Sequence, residues 1–305
     1  MVKEFAALVF FVFAQVTCAF AVDCNMSKEF EGTGSVAVWQ SRTGIPSFYF
    51  RTNSDVNTDG SGRSYHPDDI AGNKGLAQNL ICNGVNRKSG NTSASCVDKP
   101  GDCQKCLDLF RSKPKNEMIE NFGKYFESFA IAKDGASACI VPQGKDNAGY
   151  FVSTTSYQKS GTDICDPAQY LDAMVFPSIA VPKKLLRLGV TMGDYVLVRN
   201  RKNGRSSFGI VYDSSGGRIG ESSIAMNRRL LCQKNKPGCV PPPVPTTVKQ
   251  SYGLVVEDVD YLIFSGSASS WPTSVSSIES SANSMFLAWG GEERIKTCAD
   301  AYDTP

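Results

Sequence analysis

Asp213 and Glu221 stand eight residues apart, at the two ends of a short loop that contains Gly216 and Gly217. Asp213 follows an apolar run, Phe208-Gly-Ile-Val-Tyr212, that reads as a buried strand. Glu221 precedes a segment, Ser222 to Leu231, that reads as a helix capped by Ser222. Two carboxyls fixed by rigid elements at both ends of one loop suit cleavage of a glycosidic bond, which needs one protonated acid and one ionised base. Burial, or the negative charge of its partner, would hold the proton on one. The positive N-terminal end of the helix would keep Glu221 ionised. A structural reading stands beside this one. Asp in D-S-S-G-G is a common turn former, and an acid at a helix start often serves only the dipole.

A second acidic group, Asp55-Val-Asn57-Thr-Asp59-Gly60, follows the aromatic run Phe48-Tyr-Phe50. Its spacing imitates the opening of a calcium loop, but the twelfth position is His66 instead of a bidentate Glu, and no helix pattern flanks it. The same oxygens would suit a protonated amino sugar held by charge-assisted hydrogen bonds, or a hydrated turn. Local pattern leaves these open.

Composition narrows the chemistry. The 305-residue chain has a net charge of +2 and one histidine, His66, so a Ser-His-Asp triad or a multi-histidine metal site has little to draw on. No basic run points to nucleic acid. At the N-terminus, Lys3, the apolar run Phe5 to Phe13 and Ala19-Phe20-Ala21 read as an export signal over residues 1–21, too short to span a membrane. Cleavage there discards Cys18 and leaves ten cysteines, an even number that implies disulfides in an exported protein. Cys103-Gln-Lys-Cys106 reads as structural for the same reason. Asn25 and Asn91 fit the N-glycosylation pattern.

Residues 22–305 read as a single catalytic domain. Residues 83–149 are polar and cysteine-rich, and read as a stapled insertion. Its one amphipathic stretch, Glu117 to Ile131, carries Met118, Ile119, Phe122, Phe126 and Phe129 at helical spacing and predicts core packing. Elsewhere short strands alternate with turns: Val36 to Gln40, Ser47 to Arg51, Tyr150 to Thr155, Met174 to Val181, Asp194 to Arg199, Ser206 to Tyr212, Tyr252 to Val256 and Asp260 to Ser265. Asn203-Gly204 is a hairpin signal. A proline-rich loop spans Pro237 to Pro245. A helix is expected over Ser277 to Leu287, with Cys298 pinning the end.

Taken in order, these segments resemble the fungal-type chitosanases, glycoside hydrolase family 75. The likeness runs through Pro46-Ser-Phe-Tyr-Phe50 with Asp55 and Asp59-Gly60, Tyr150-Phe-Val-Ser-Thr-Thr155, Tyr170-Leu-Asp-Ala173 and Phe176-Pro-Ser-Ile-Ala-Val-Pro182. It continues with Gly193-Asp-Tyr-Val-Leu-Val198, Phe208 to Asp213, Ile219-Gly-Glu-Ser-Ser223, Tyr261 to Gly266 and Trp289-Gly-Gly291. The resemblance implies a secreted enzyme that cuts β-1,4-linked glucosamine polymer internally, with inversion at the anomeric carbon. It places Asp213 and Glu221 as the catalytic pair, and Asp55, Asn57, Asp59 and Tyr212 as substrate-binding residues. It implies no cofactor and no metal. The partner is the polysaccharide; nucleic acid and, after signal cleavage, membrane are not expected, and the protein is expected to be a monomer.

Gly193 to Leu231 also looks like the double-psi β-barrel of secreted wall-cleaving and wall-loosening proteins. The expected fold is therefore mainly β: a small closed six-stranded, double-psi-like β-barrel with a few short helices and a disulfide-rich insertion. Enzymes that cleave peptidoglycan glycan strands, and expansin-like binders without catalysis, share that architecture and remain alternatives.

Overall fold

The computed structural model describes residues 23–69, 74–77, 80–90, 92–96, 99–161, 163–232 and 240–302. The export signal, Cys18, Asn91, Cys239 and the start of the proline-rich loop lie outside the described residues.

The strands are β1 (Ser27–Glu31), β2 (Ala37–Ser41), β3 (Ser47–Asn57), β4 (Val85–Ser89), β5 (Thr92–Ser95), β6 (Phe126–Ser128), β7 (Lys133–Asp134), β8 (Ser137–Ala138), β9 (Ser178–Pro182), β10 (Tyr195–Asn200), β11 (Arg205–Ser215), β12 (Glu221–Ser223) and β13 (Val256–Phe264). The helices are α1 (Leu80–Asn83), α2 (Asp102–Arg111), α3 (Lys115–Glu120), α4 (Phe122–Tyr125), α5 (Lys183–Arg187), α6 (Ile224–Leu230), α7 (Val248–Tyr252), α8 (Val275–Trp289) and α9 (Gly291–Ala301). The protein is mainly β.

Six strands close into a barrel in the order β3-β12-β9-β11-β10-β13, with β13 pairing back onto β3. Two pairings, β3 with β12 and β9 with β11, are parallel; the others in the ring are antiparallel. β3 serves several partners along its length, β2 at its start and β12 at its end. Period-two alternation sorts the side chains. Phe48, Phe50, Ile179, Val181, Val196, Val198, Val211, Tyr261 and Ile263 fill the barrel. Tyr49, Leu197, Leu262 and Phe264 point the other way, onto Phe286, Trp289 and Ile295 of α8 and α9. Ala180, Ile210 and Tyr212 face outward on another side, with Tyr157 and Leu171.

The cysteine-rich segment packs Val85, Phe110, Met118, Phe122 and Phe126 with Tyr65, Leu80 and Phe151 from its flanks into a second core beside the small sheet β5-β4-β6. Disulfides link Cys82 to Cys103, Cys96 to Cys106 and Cys139 to Cys165, while Cys24–Cys298 ties the start of the described chain to α9. Cys103 and Cys106 thus bond to different partners and form no redox dithiol.

Several local expectations are corrected. The stretch from Glu117 to Ile131 is not one helix: α3 ends at Glu120, α4 is one turn, and Phe126 opens β6. Met118, Phe122 and Phe126 are buried, whereas Phe129 is 62% exposed. Tyr150 to Thr155 makes only isolated bridges, Ser153 to Ile131 and Phe151 to Ile140, which flank the two-residue strands β7 and β8, so no continuous strand forms there. β9 begins at Ser178, not Met174, since Asp172 turns the chain by accepting from Met174 N and Phe176 N. Tyr252 ends a helix capped by Thr247, and β13 runs unbroken from Val256 through the region expected as a separate strand. The Asn203-Gly204 hairpin does form, with Gly204 at φ +70°.

Candidate active site

Asp213, Ala180, Glu221 and Asp55 occupy one transverse row of the sheet. β11 places Asp213 against Ala180, β12 places Glu221 against the other side of Ala180, and Glu221 is in turn registered with Asp55 of β3. The backbones of Asp213 and Glu221 are therefore two strand spacings apart, about 9.5 Å. Ala180, the residue between them, has only a methyl group.

A bulge aims Asp213. The β11–β9 register runs from Val211↔Ile179 directly to Asp213↔Ala180, so Tyr212 is an extra residue. Val211 lies inside the barrel and Tyr212 outside. Strict alternation would return Asp213 to the apolar interior, and the inserted residue turns it outward instead. Glu221 reaches the row through Gly220, at φ +94°, where a Cβ would stand 2.3 Å from Asn53 O. That approach lets Asp55 N donate to Gly220 O at 2.7 Å.

Glu221 does not stand at a helix start. It opens β12, and the cap of α6 is Ser223, whose Oγ accepts from Met226 N. The expectation that a helix dipole keeps Glu221 ionised fails with it. Burial instead raises its proton affinity; Asn57 Nδ2, donating to Oε2 at 3.1 Å, and the nearby Arg218 charge oppose this, while Asp213 and Asp55 reinforce it.

Asp213 is half-buried and held by one oxygen. Its Oδ1 accepts from Ser156 Oγ at 2.6 Å, Ser156 N at 3.0 Å and Ser214 N at 2.8 Å. Burial raises its proton affinity, and these three donors oppose that by favouring the anion.

Asp59 joins the same cluster. Tyr65 Oη donates to its Oδ1 at 2.7 Å, and its own N–H donates to Asn57 Oδ1 at 2.8 Å. Asn57 thereby engages Asp59 and Glu221 at once. Burial and then the neighbouring Asp213 push the Asp59 carboxyl well above its ordinary range; the Tyr65 hydrogen bond opposes this and Glu221 adds to it. Gly60, at φ +82°, packs so closely on Leu171 O that a Cβ would lie 2.0 Å away, which fixes the turn. Asp55 is exposed at the far end of the row.

Tyr212 is fully buried, and its hydroxyl has no hydrogen-bond partner among the described residues. The charges of Asp213, Asp59 and Glu221 all raise its proton affinity, after burial, so the hydroxyl sits within their field.

All six residues singled out from sequence thus gather in one region. Ala180, Ser156, Tyr65, Ser153 and Arg218 were missed. Ser153 lies within the Tyr150–Thr155 segment and Ser156 borders it, and Ala180 sits between Ile179 and Val181; Tyr65 and Arg218 carry no local signal. Among the described residues no group of three or more His, Cys, Asp or Glu is arranged to hold a metal ion. No protein-family model matches the chain, and no curated protein matches it significantly.

Proposed function

We propose that the protein is a secreted glycoside hydrolase of the chitosanase type, cutting β-1,4-linked glucosamine polymer internally with inversion. The observation that carries this reading is the row in which Ala180 separates Asp213 from Glu221. Inversion needs two carboxyls roughly 6.5–9.5 Å apart, so that water fits between one of them and the sugar. A spacing of two strands with only a methyl between is compatible with that requirement. Asp213, with three donors on one oxygen, is suited to remain ionised and take a proton from water. The acidic surroundings of Asp55, Asp59 and Glu221 suit a polycationic glycan better than an anionic one. The disulfides suit an oxidising compartment, in line with secretion.

The test is incubation of the purified protein with chitosan, chitin and peptidoglycan, followed by mass analysis of the products. Glucosamine oligomers released with an inverted anomeric centre are the expected result. Asp213→Asn and Glu221→Gln should each lower turnover by about 100-fold or more. Anhydro-muramic ends would identify a wall lyase instead, and binding without cleavage would identify a non-catalytic polysaccharide binder.

A further inference from the structure

Asn57 closes β3 one diagonal step from Glu221, since β12 registers Glu221 with Asp55 and Ser223 with Asn57. Alternation along each strand puts Asp55, Asn57 and Glu221 on one face of the sheet. Both polar atoms of the Asn57 amide are engaged by the protein. Its Oδ1 accepts from Asp59 N at 2.8 Å, and its Nδ2 donates to Glu221 Oε2 at 3.1 Å. A backbone N–H can only donate, so the amide atom facing Asp59 N must be the oxygen. The amino group is thereby left facing Glu221, and the amide has one orientation.

The turn that carries this amide is itself held. Asn57 Oδ1 and Asp59 N make an Asx turn, in which the side chain stands in for a backbone carbonyl. Gly60 N, next along, donates to Ser153 Oγ at 3.0 Å, and Ser153 Oγ donates to Ala130 O at 3.1 Å. Ala130 belongs to the cysteine-rich segment and is buried in the second core. A side chain fixed on a braced turn is in place before substrate arrives, which is what accurate placement of a reacting group requires.

We propose, on the hydrolase reading above, that Asn57 is the positioning residue of Glu221, holding Oε2 so that Oε1 delivers the proton to the glycosidic oxygen. On that reading Asp213 takes the proton from water, which leaves Glu221 as the donor. A protonated carboxyl presents one O–H and one carbonyl oxygen. The oxygen that faces an N–H donor is the carbonyl, so the proton rests on Oε1. In the step itself, the Oε1 proton passes to the glycosidic oxygen as the bond from that oxygen to the anomeric carbon breaks. Water attacks the same carbon and yields a proton to Asp213. One water is consumed, Glu221 is left ionised and Asp213 protonated, and exchange with solvent restores both. Asn57 acts through Glu221 and not as a sugar ligand, the role the resemblance implies for it.

Asn57→Asp separates the two contacts. It keeps an oxygen to accept from Asp59 N, and with it the turn, but leaves Glu221 without its donor. On chitosan its kcat should fall about 10- to 100-fold with KM within about twofold. The alkaline limb of its pH–rate profile should move to higher pH, because the lost donor favoured the carboxylate. A chito-oligosaccharyl fluoride, whose leaving group needs no proton, should be hydrolysed nearly normally by both Asn57→Asp and Glu221→Gln. Asn57→Asp added to Glu221→Gln should cost nothing further on chitosan, since a residue that acts through another is silent once that other is gone. Where Asn57→Asp melts low, Asn57→Ser gives the same readings; its hydroxyl makes the same kind of turn without added charge and stops one bond short of Glu221. The proposal is overturned if the folded variant cleaves chitosan normally, or if KM rises with kcat unchanged. Equal loss on both substrates, losses that multiply in the double variant, or a Glu221→Gln that the fluoride does not rescue would also overturn it. Wild-type protein inactive on both substrates would instead refute the hydrolase reading itself.

Discussion

Asp213 and Glu221 share one row of the barrel without touching, each registered against the same alanine of the strand between them. Ala180 is buried and faces outward with Ile210 and Tyr212, so its side chain sets how much room the two carboxyls have. Ala180→Leu should fill that room. The expected result is a folded protein destabilised by about 1–3 kcal/mol, the usual cost of overpacking, with chitosan turnover reduced far beyond that loss. Ala180→Ser, nearly isosteric, serves as the control and should retain activity. Full turnover by a folded Ala180→Leu would show that the space between the carboxyls is not used.

Ser156 holds Asp213 through both its backbone N–H and its hydroxyl. Ser156→Ala removes only the hydroxyl. A lost charge-assisted hydrogen bond of ~1.5 kcal/mol corresponds to about a tenfold effect. Because that bond favours the anion, its loss raises the proton affinity of the base. The acid limb of the pH–rate profile should move to higher pH, with activity falling most on the acid side. A uniform fall at every pH would indicate a structural role for Ser156.

The strands of one hairpin are legible from sequence because they rest on a short-range pattern, whereas the closed barrel and the choice of candidate site residues rest on resemblance. Alternation around Tyr195 to Arg199 and Ser206 to Tyr212, with the Asn203-Gly204 turn, gives a hairpin whatever lies elsewhere. The position of Glu221 was misread for a long-range reason. Ser222 and Ser223 are both competent caps, and only pairing with Asp55 and Ala180, well over a hundred and some forty residues away, draws Glu221 to Ser223 into a strand and leaves the cap to Ser223. The bulge at Tyr212 was invisible for the same cause, since a register shift exists only between two strands. Asp59 was placed in the site as an ammonium ligand. Its burial, and hence its hold on a proton, depends on Tyr65 and on neighbours contributed by two distant strands.

Stability should follow pH in the direction set by these buried carboxyls. Burial raises the proton affinity of Asp59, Asp172, Asp194, Asp213 and Asp260 above the ordinary value of 3.8, and of Glu221 above 4.5. A folded-state value above the unfolded one contributes stability that is complete below the unfolded value and lost as pH rises through the folded one. The protein should therefore melt at higher temperature near pH 4–5 than near pH 8, and Asp59→Asn should reduce that difference. Exposed Glu31, Asp68 and Glu257, drawn down by lysine partners, act in the opposite sense. Salt screens these exposed pairs, so melts in high salt isolate the buried groups. A melting temperature that climbs steadily from pH 4 to pH 8 in high salt would contradict the burial of the cluster.

Tyr65 ties the cysteine-rich segment to the site, since its ring belongs to that segment's core while its hydroxyl donates to Asp59 Oδ1. That hydrogen bond favours the ionised carboxylate and so works against the proton that burial retains. Tyr65→Phe should leave the core filled and let Asp59 hold its proton more tightly. The gap in melting temperature between pH 4–5 and pH 8 should then widen, because a carboxyl held higher in the folded state loses more stability as pH rises. Opening the Cys96–Cys106 bridge beside the same core by a double serine substitution should cost about 2–4 kcal/mol of stability and lower turnover through the loosened Tyr65, without shifting the acid limb. A gap no wider than that of the wild type in Tyr65→Phe would mean that Tyr65 does not tune Asp59 and that the cysteine-rich segment only supports the barrel.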